Sequence, residues 1–420
     1  MSLVASMPAG GTRAKGLILL AGGLALALRL VFGLAYWVDK PLTHDEREYL
    51  ALANSLAAGR GFTYGPDHQS GTAQQFGRAP IYPMFLAAIG ATGGAAQRGA
   101  PTRVKIAQAI VGALDVLLIG AIALRSAGPR AGVAAALLAA IYPPLVWYPA
   151  YVLSETLYSL IALASAFVLQ LAVDRSERER SARAGGPLAL LSGALVGAAV
   201  LTRPSMLFFI PVAVIWLAAR RRHVLALALV AATAAVVTPW TARNYRVYDR
   251  FVLVASEGGV TFWTGNHPLA RGEGDLAANP ELKQAELEFR RAHPGLSPEE
   301  LEPLYYRDAL DYIRRDFGAW LGLLARKAFH TIVPGGPSYA VHSTRYRVLS
   351  IGSYLLVLPF ALAGARRLWG SERRPSALFL LGASAVLVCL IFFPQERFRV
   401  PIIDPILIVC AAASGRRTPR

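Results

Sequence analysis

The feature that most constrains this chain is a series of ten apolar runs, most of them separated by short segments of which several carry clusters of arginine. They cover residues 17–37, 104–124, 131–149, 155–173, 187–202, 205–219, 224–240, 348–365, 376–393 and 400–414. A helix needs roughly 17–25 apolar residues to cross a bilayer. Several runs are short and rich in Ala and Gly, so their ends are ill-defined. Of the 420 residues, 55% are hydrophobic and 16% charged. One soluble core cannot take up that much apolar surface, and disorder, collagen and a disulfide scaffold are excluded as well. Cys389 and Cys410 lie inside apolar runs and read as small core residues, not a disulfide or metal pair. Arg13 and Lys15 precede the run Gly16–Trp37, which is too long for a secretory signal and lacks a clear cleavage site. It is expected to be a retained signal anchor.

Charge placement gives the topology. Arg125 and Arg130; Arg175, Arg178, Arg180 and Arg183; Arg220, Arg221 and Arg222; Arg366, Arg367, Arg373 and Arg374; and Arg416, Arg417 and Arg420 fall in alternate loops. Cytoplasmic loops collect such clusters. The expectation is an all-α polytopic membrane protein with about ten spans and both termini inside. Two large outside segments would remain, 38–103 and 241–347. Two apolar stretches are ambiguous. Pro80–Gly94 is about 15 residues and fits an interfacial or re-entrant helix. Phe317–Val333 carries Arg326, Lys327 and His330 near its middle. The division is a membrane module 1–240 containing the first outside loop, an outside segment 241–347, and C-terminal spans 348–420. No internal repeat and no Gly-rich nucleotide loop is visible. The net charge of +17 is therefore mostly topological, and nucleic acid is not an expected partner.

Chemistry-bearing residues return to the outside face. Thr43-His44-Asp45-Glu46-Arg47-Glu48-Tyr49 directly follows the first span. Thr43 and Glu46 have capping-box spacing, and both acids favour a helix N-terminus; the alternative is that Asp45 is a general base at the membrane surface. Phe76-Gly77-Arg78-Ala79-Pro80-Ile81-Tyr82-Pro83 sets an arginine before two prolines. Arg78 either clamps a phosphate or snorkels to the interface. Ser154-Glu155 opens another span; Ser154 can cap it, and Glu155 can orient a donor, bind a cation or pair with an arginine. Thr202-Arg203-Pro204, Arg243-Asn244 and Gln395-Glu396-Arg397-Phe398-Arg399 place further arginines outside, against the prevailing bias. A lipid headgroup contact explains any one of them; together with Arg78 they point to an anionic ligand such as a lipid phosphate. Arg29 and Asp115 lie deep in the first two spans, where an unpaired charge is costly, and are expected to face the interior and pair.

In order, Asp45-Glu46 with Tyr49, Gly59-Arg60-Gly61-Phe62, Arg78-x-Pro80-x-Tyr82-Pro83, Ser154-Glu155, Arg203-Pro204, Arg243-Asn244, Trp263-Thr264-Gly265-Asn266 and Glu396-Arg397-Phe398-Arg399 span nearly the whole chain. This series resembles the GT-C glycosyltransferases of the protein O-mannosyltransferase and lipid A aminoarabinose transferase superfamily. Each motif alone is weak; the order is more specific. The resemblance implies a GT-C fold with interfacial helices in the first outside loop. It implies inverting transfer of a sugar from a polyprenyl-phosphate donor to a hydroxyl of an extracytoplasmic lipid, glycan or protein. It places Asp45, with Glu46, as the catalytic carboxylates, and His44, Tyr49, Arg78, Tyr82, Glu155, Arg203, Arg243, Asn244, Asn266, Glu396, Arg397 and Arg399 around the substrates. A divalent cation is permitted but not demanded by any ligand spacing. The implied location is the inner membrane of a bacterium with the site facing the periplasm.

A large soluble domain after the last span is not expected, so acceptor recognition is expected of 241–347. Its stretch 280–316, interrupted by Pro294, Pro298 and Pro303, reads as a lid or a connector. Trp240, Trp263, Tyr305 and Tyr306 suit the membrane interface as well as a sugar face. Two competing readings are a transporter or flippase of a lipid-linked glycan, using the same groups without bond making, and a structural scaffold. The scaffold leaves the outside acids and arginines unexplained.

Overall fold

The computed structural model describes residues 10–63, 78–91 and 98–415. Phe76 and Gly77, residues 92–94 of the short apolar stretch, and Arg416, Arg417 and Arg420 of the tail lie outside the described residues. Among those described, the regular structure is helical. The first half contains α1 (Gly10–Val31), α2 (His44–Ala57), α3 (Ile81–Ala88), α4 (Thr102–Ala127), α5 (Pro129–Ile141), α6 (Pro143–Trp147), α7 (Glu155–Arg178), α8 (Gly186–Val200) and α9 (Phe209–Ala219). The second contains α10 (His223–Tyr248), α11 (Gly258–Gly265), α12 (Pro280–Arg291), α13 (Pro298–Arg315), α14 (Phe317–Ile332), α15 (Thr344–Trp369), α16 (Ser376–Ile391), α17 (Glu396–Arg399) and α18 (Ile403–Ala413).

The chain is a multi-pass membrane protein. Six helices among the described residues are long and apolar enough to cross a bilayer: α1 with a π-helical turn to Tyr36, α4, α7, α8 with the turn before it, α10 and α15. The stretch expected as one span over 131–149 is two helices bent by 63°. Pro143 and Pro144 supply no N–H donors, so α5 stops at Ile141. The remaining expected spans are shorter apolar helices, Pro204–Ala219, α16 and α18. By length and composition six of the ten expected runs are continuous spans among the described residues, one is a bent pair and three are shorter apolar helices.

That break in α5 explains Arg29. The last carbonyls of a helix have no partner of their own. The Arg29 guanidinium, 2% exposed, donates to the carbonyls of Ala139 and Ala140, each at 3.4 Å, and to Ala25. Asp115 instead accepts from Ser159 at 2.8 Å. The expected pairing is corrected: both charges face the interior, but no direct ion pair forms, because the orphan carbonyls occupy the arginine. Arg29 and Asp115 line one small cavity together with Glu155. Arg29→Ala should lower folded yield and cost about 1–3 kcal/mol, the usual penalty for stranded buried polar groups. Melting of the purified variant at the wild-type temperature would refute this role.

Small residues set the close helix contacts. Gly193 and Gly197 face α10 one turn apart, and a Cβ at Gly193 would lie 2.3 Å from the Leu229 carbonyl oxygen. Gly364 does the same for α15 against α18, at Cys410. Outside the bundle, α2 and α3 share a small core of Tyr49, Leu50, Ala53, Tyr82 and Leu86. At 8 residues α3 is too short to cross. The later segment has its own core of Trp263, Leu282, Leu301, Tyr305 and Ala309. Pro298 starts α13 behind the Ser297 cap, but Pro303 lies inside that helix instead of breaking it. Its missing N–H deprives only the Glu299 carbonyl, at the solvated first turn. Along α14, Leu323 and Lys327 are buried while Leu321, Phe329 and Ile332 are exposed. That is an amphipathic helix suited to an interface.

Candidate functional site

The Thr43 cap fixes the start of α2: its hydroxyl accepts from the Glu46 amide, and Glu46 accepts from the Thr43 amide at 2.8 Å. The helix start then places Asp45 and Glu48, three residues apart, on one face. Arg78 meets that face. Its guanidinium is 2.6 Å from Asp45 and 2.5 Å from Glu48, and 3.5 Å from Glu257. Arg397 binds the other Asp45 oxygen and lies 2.7 Å from Glu155. Arg203 reaches the same Glu155 oxygen at 2.9 Å. The result is an alternating ladder, Glu257–Arg78–Asp45–Arg397–Glu155–Arg203.

Each rung has a local cause. Arg203 precedes Pro204, which favours the extended backbone it adopts (φ −147, ψ 119). Its guanidinium lies over the rings of Tyr158 and Phe398. Glu155 is the first residue of α7, where the helix dipole favours a negative charge. It is 1% exposed, and its second carboxylate oxygen has no protein partner. Glu396 and Arg397 are neighbours on the short α17, so their side chains diverge by about 100°. Arg397 points into the ladder. Glu396 accepts from Tyr346 and Ser350, beside Arg399, which is 3.0 Å from Asp404.

Electrostatics differ between the acids. Burial by itself would raise the Asp45 carboxyl, but Arg397 and Arg78 outweigh it and hold Asp45 well below the usual carboxylate range. Glu257 goes the other way. Burial, with Glu48 and Asp45 as like-charged neighbours, outweighs Arg78 and Arg397 and pushes it up to about 7, although its side chain is 43% exposed.

Not every expected residue joins the ladder. Glu46 is spent on Thr43 and on the Val152 amide at 2.9 Å, so it anchors α2 and does not face the arginines. His44 is 78% exposed and 3.4 Å from Glu48. Tyr49 is buried against Tyr82 beneath Arg78, and Tyr82 donates to Gln108. Arg243 lies among Trp240, Phe62 and Tyr248 and donates to the Phe62 carbonyl. Asn244 holds the Val252 and Val254 carbonyls. Asn266 and Lys327 together bond the last carbonyls of α16, at Leu390 and Ile391, and Asn266 also accepts from Trp320. Glu396 and Arg399 form a second buried cluster behind Arg397. The residues missed are Glu48 and Glu257. Glu48 was legible as the helical neighbour of Asp45; Glu257 precedes two glycines and carries no local signal.

Among the described residues no three His, Cys, Asp or Glu side chains are grouped as metal ligands. Asp45, Glu48 and Glu257 instead share Arg78.

The family model for dolichyl-phosphate-mannose-protein mannosyltransferase matches residues 79–242, a stretch that includes Glu155 and Arg203. The archaeal oligosaccharyltransferase AglB from Archaeoglobus fulgidus, solved with an inhibitory peptide and a dolichol-phosphate, is 17% identical with a TM-score of 0.59, covering 96% of this chain and 50% of that one. The Archaeoglobus fulgidus oligosaccharyltransferase tethered to an acceptor peptide gives 16%, 0.60, 96% and 49%. ArnT from Cupriavidus metallidurans bound to undecaprenyl phosphate is 15% identical with a TM-score of 0.46, covering 95% of this chain and 77% of that one. This chain spans about half the length of the archaeal oligosaccharyltransferase. None of the curated proteins matches it. The fold is the GT-C fold, as the motif order implied.

Proposed function

We propose that this protein is an inverting glycosyltransferase that takes a sugar from a polyprenyl-phosphate donor and passes it to a hydroxyl of an extracytoplasmic acceptor, at the inner membrane of a bacterium. The observation that carries the reading is Asp45, gripped on both oxygens by arginines from distant parts of the chain. A planar guanidinium prefers a phosphate as readily as a carboxylate. The donor phosphate competes for Arg78 and Arg397, with Arg203 next in the ladder. Once drawn off, the arginines no longer depress Asp45, whose proton affinity then rises. The acceptor oxygen attacks the sugar C1 as the C1–O bond to phosphate breaks. The acceptor proton passes to Asp45, and the polyprenyl phosphate leaves with the bonding pair, neutralised by the arginines. The base becomes competent only when the donor phosphate is in place.

The direct test is purified protein incubated with a radiolabelled polyprenyl-phosphate sugar and acceptor extracts. A new glycosidic product supports the enzyme. Movement of donor across a bilayer without product supports a flippase.

Glu257 adds a pH dependence. A raised Glu257 carboxyl takes its proton more readily than an ordinary glutamate and so leaves Arg78 to the phosphate at lower pH, while its carboxylate competes for Arg78 as the pH rises through about 7. The donor KM should therefore rise between pH 6 and pH 8, and Glu257→Gln should flatten that rise. An identical KM profile in the variant would remove Glu257 from donor binding.

A further inference from the structure

A cavity of about 1170 Å³ lies at the end of the bundle remote from the ladder, between α4, α7 and the start of α16. It exceeds an ordinary small-molecule pocket of about 300–1,000 Å³. Its inner wall is apolar, with Ile122, Phe167, Leu171 and Leu378. Its rim carries Arg125, Arg178, Arg373 and Arg374 against Asp174, Glu177 and Glu372. Arg125 is spent on Asp174. Arg178 bonds only the Asp174 carbonyl, and among the described residues neither Arg178 nor Arg373 has a carboxylate within ion-pair distance.

Depth and level identify the occupant. Along α7, from Ala166 at the floor to Arg178 at the rim, twelve residues rise about 18 Å. One leaflet of a hydrocarbon core about 30 Å thick is comparable. Trp369, 65% exposed, stands at the same end with Arg374 over its ring, and an exposed tryptophan suits the membrane–water interface. The unpaired arginines therefore sit at headgroup level and the apolar wall at acyl-chain level.

We propose that this groove binds one anionic phospholipid of the leaflet opposite the ladder, with its phosphate on Arg178 and Arg373 and an acyl chain along Phe167, Leu171 and Leu378. A zwitterionic lipid presents the same tail and phosphate, but its head adds a cation beside Arg178, Arg373 and Arg374.

Native mass spectrometry of the detergent-purified full chain, incubated with phosphatidylglycerol or phosphatidylcholine, tests this. Wild type should retain phosphatidylglycerol preferentially. The double variant Arg178→Gln, Arg373→Gln should lose that retention about tenfold, and Arg130→Gln, basic but outside the groove, should not. Leu171→Trp, which fills the wall without changing charge, should also displace the lipid, and keeps the test open if the double variant folds poorly. Equal retention of both lipids by wild type, or undiminished phosphatidylglycerol on both groove variants, overturns the site.

Discussion

Asp45→Asn should lower the turnover number by about 10³-fold, within the range for loss of a general base, and leave the melting temperature near wild type. Asparagine keeps the size and one hydrogen-bond acceptor of aspartate. Arg78 retains Glu48, and Arg397 retains Glu155. The split between parameters is diagnostic. Asparagine competes less well than a carboxylate for the arginine forks, so the donor KM should hold or fall while turnover collapses. A variant with normal turnover removes Asp45 from the mechanism. A variant with raised donor KM and intact turnover reduces Asp45 to a holder of arginines. Glu46→Gln is the contrast. It removes a capping-box carboxylate, and its loss should appear in stability, not in turnover.

Arg397→Ala should be the most damaging single change to stability within the ladder. Glu155 is 1% exposed and would keep only Arg203. Stranding one partner of a buried pair costs about 3–5 kcal/mol, and the 26% exposure of Arg397 argues for the lower end. The variant should melt several degrees lower in detergent and bind donor at least tenfold more weakly. Adding Glu155→Gln removes the stranded charge, so the double variant should regain stability without regaining turnover. Failure of that rescue would mean that Arg397 acts on the fold through something other than Glu155.

Parts of this were legible along the chain. The Thr43 and Glu46 spacing announced the cap that starts α2, and the cap is formed as spaced. The apolar runs and arginine clusters announced a polytopic helical protein, because span length and loop charge are local properties. The helical offset between Asp45 and Glu48 placed both on one face, although only Asp45 was singled out. Local spacing also misled. Arg243-Asn244 looks like the other arginine motifs, yet Asn244 is a buried clasp for the Val252 and Val254 carbonyls. Trp263-Thr264-Gly265-Asn266 ends on a residue committed to the last turn of α16.

The amino-acid sequence by itself determined the solvent, the helices and the face to which the unusual charges return. These follow from apolar length, charge and capping chemistry read within a few residues. The tertiary structure decided which charges meet. Asp45 and Arg397 are 352 residues apart, and no periodicity links them. Adjacent Glu396 and Arg397 serve different clusters because a helical turn separates their directions. Arg29 and Asp115 bond elsewhere because a proline break in α5 exposes carbonyls to the arginine. Partnership between side chains is set by how helices pack, so it appears only once the bundle is assembled.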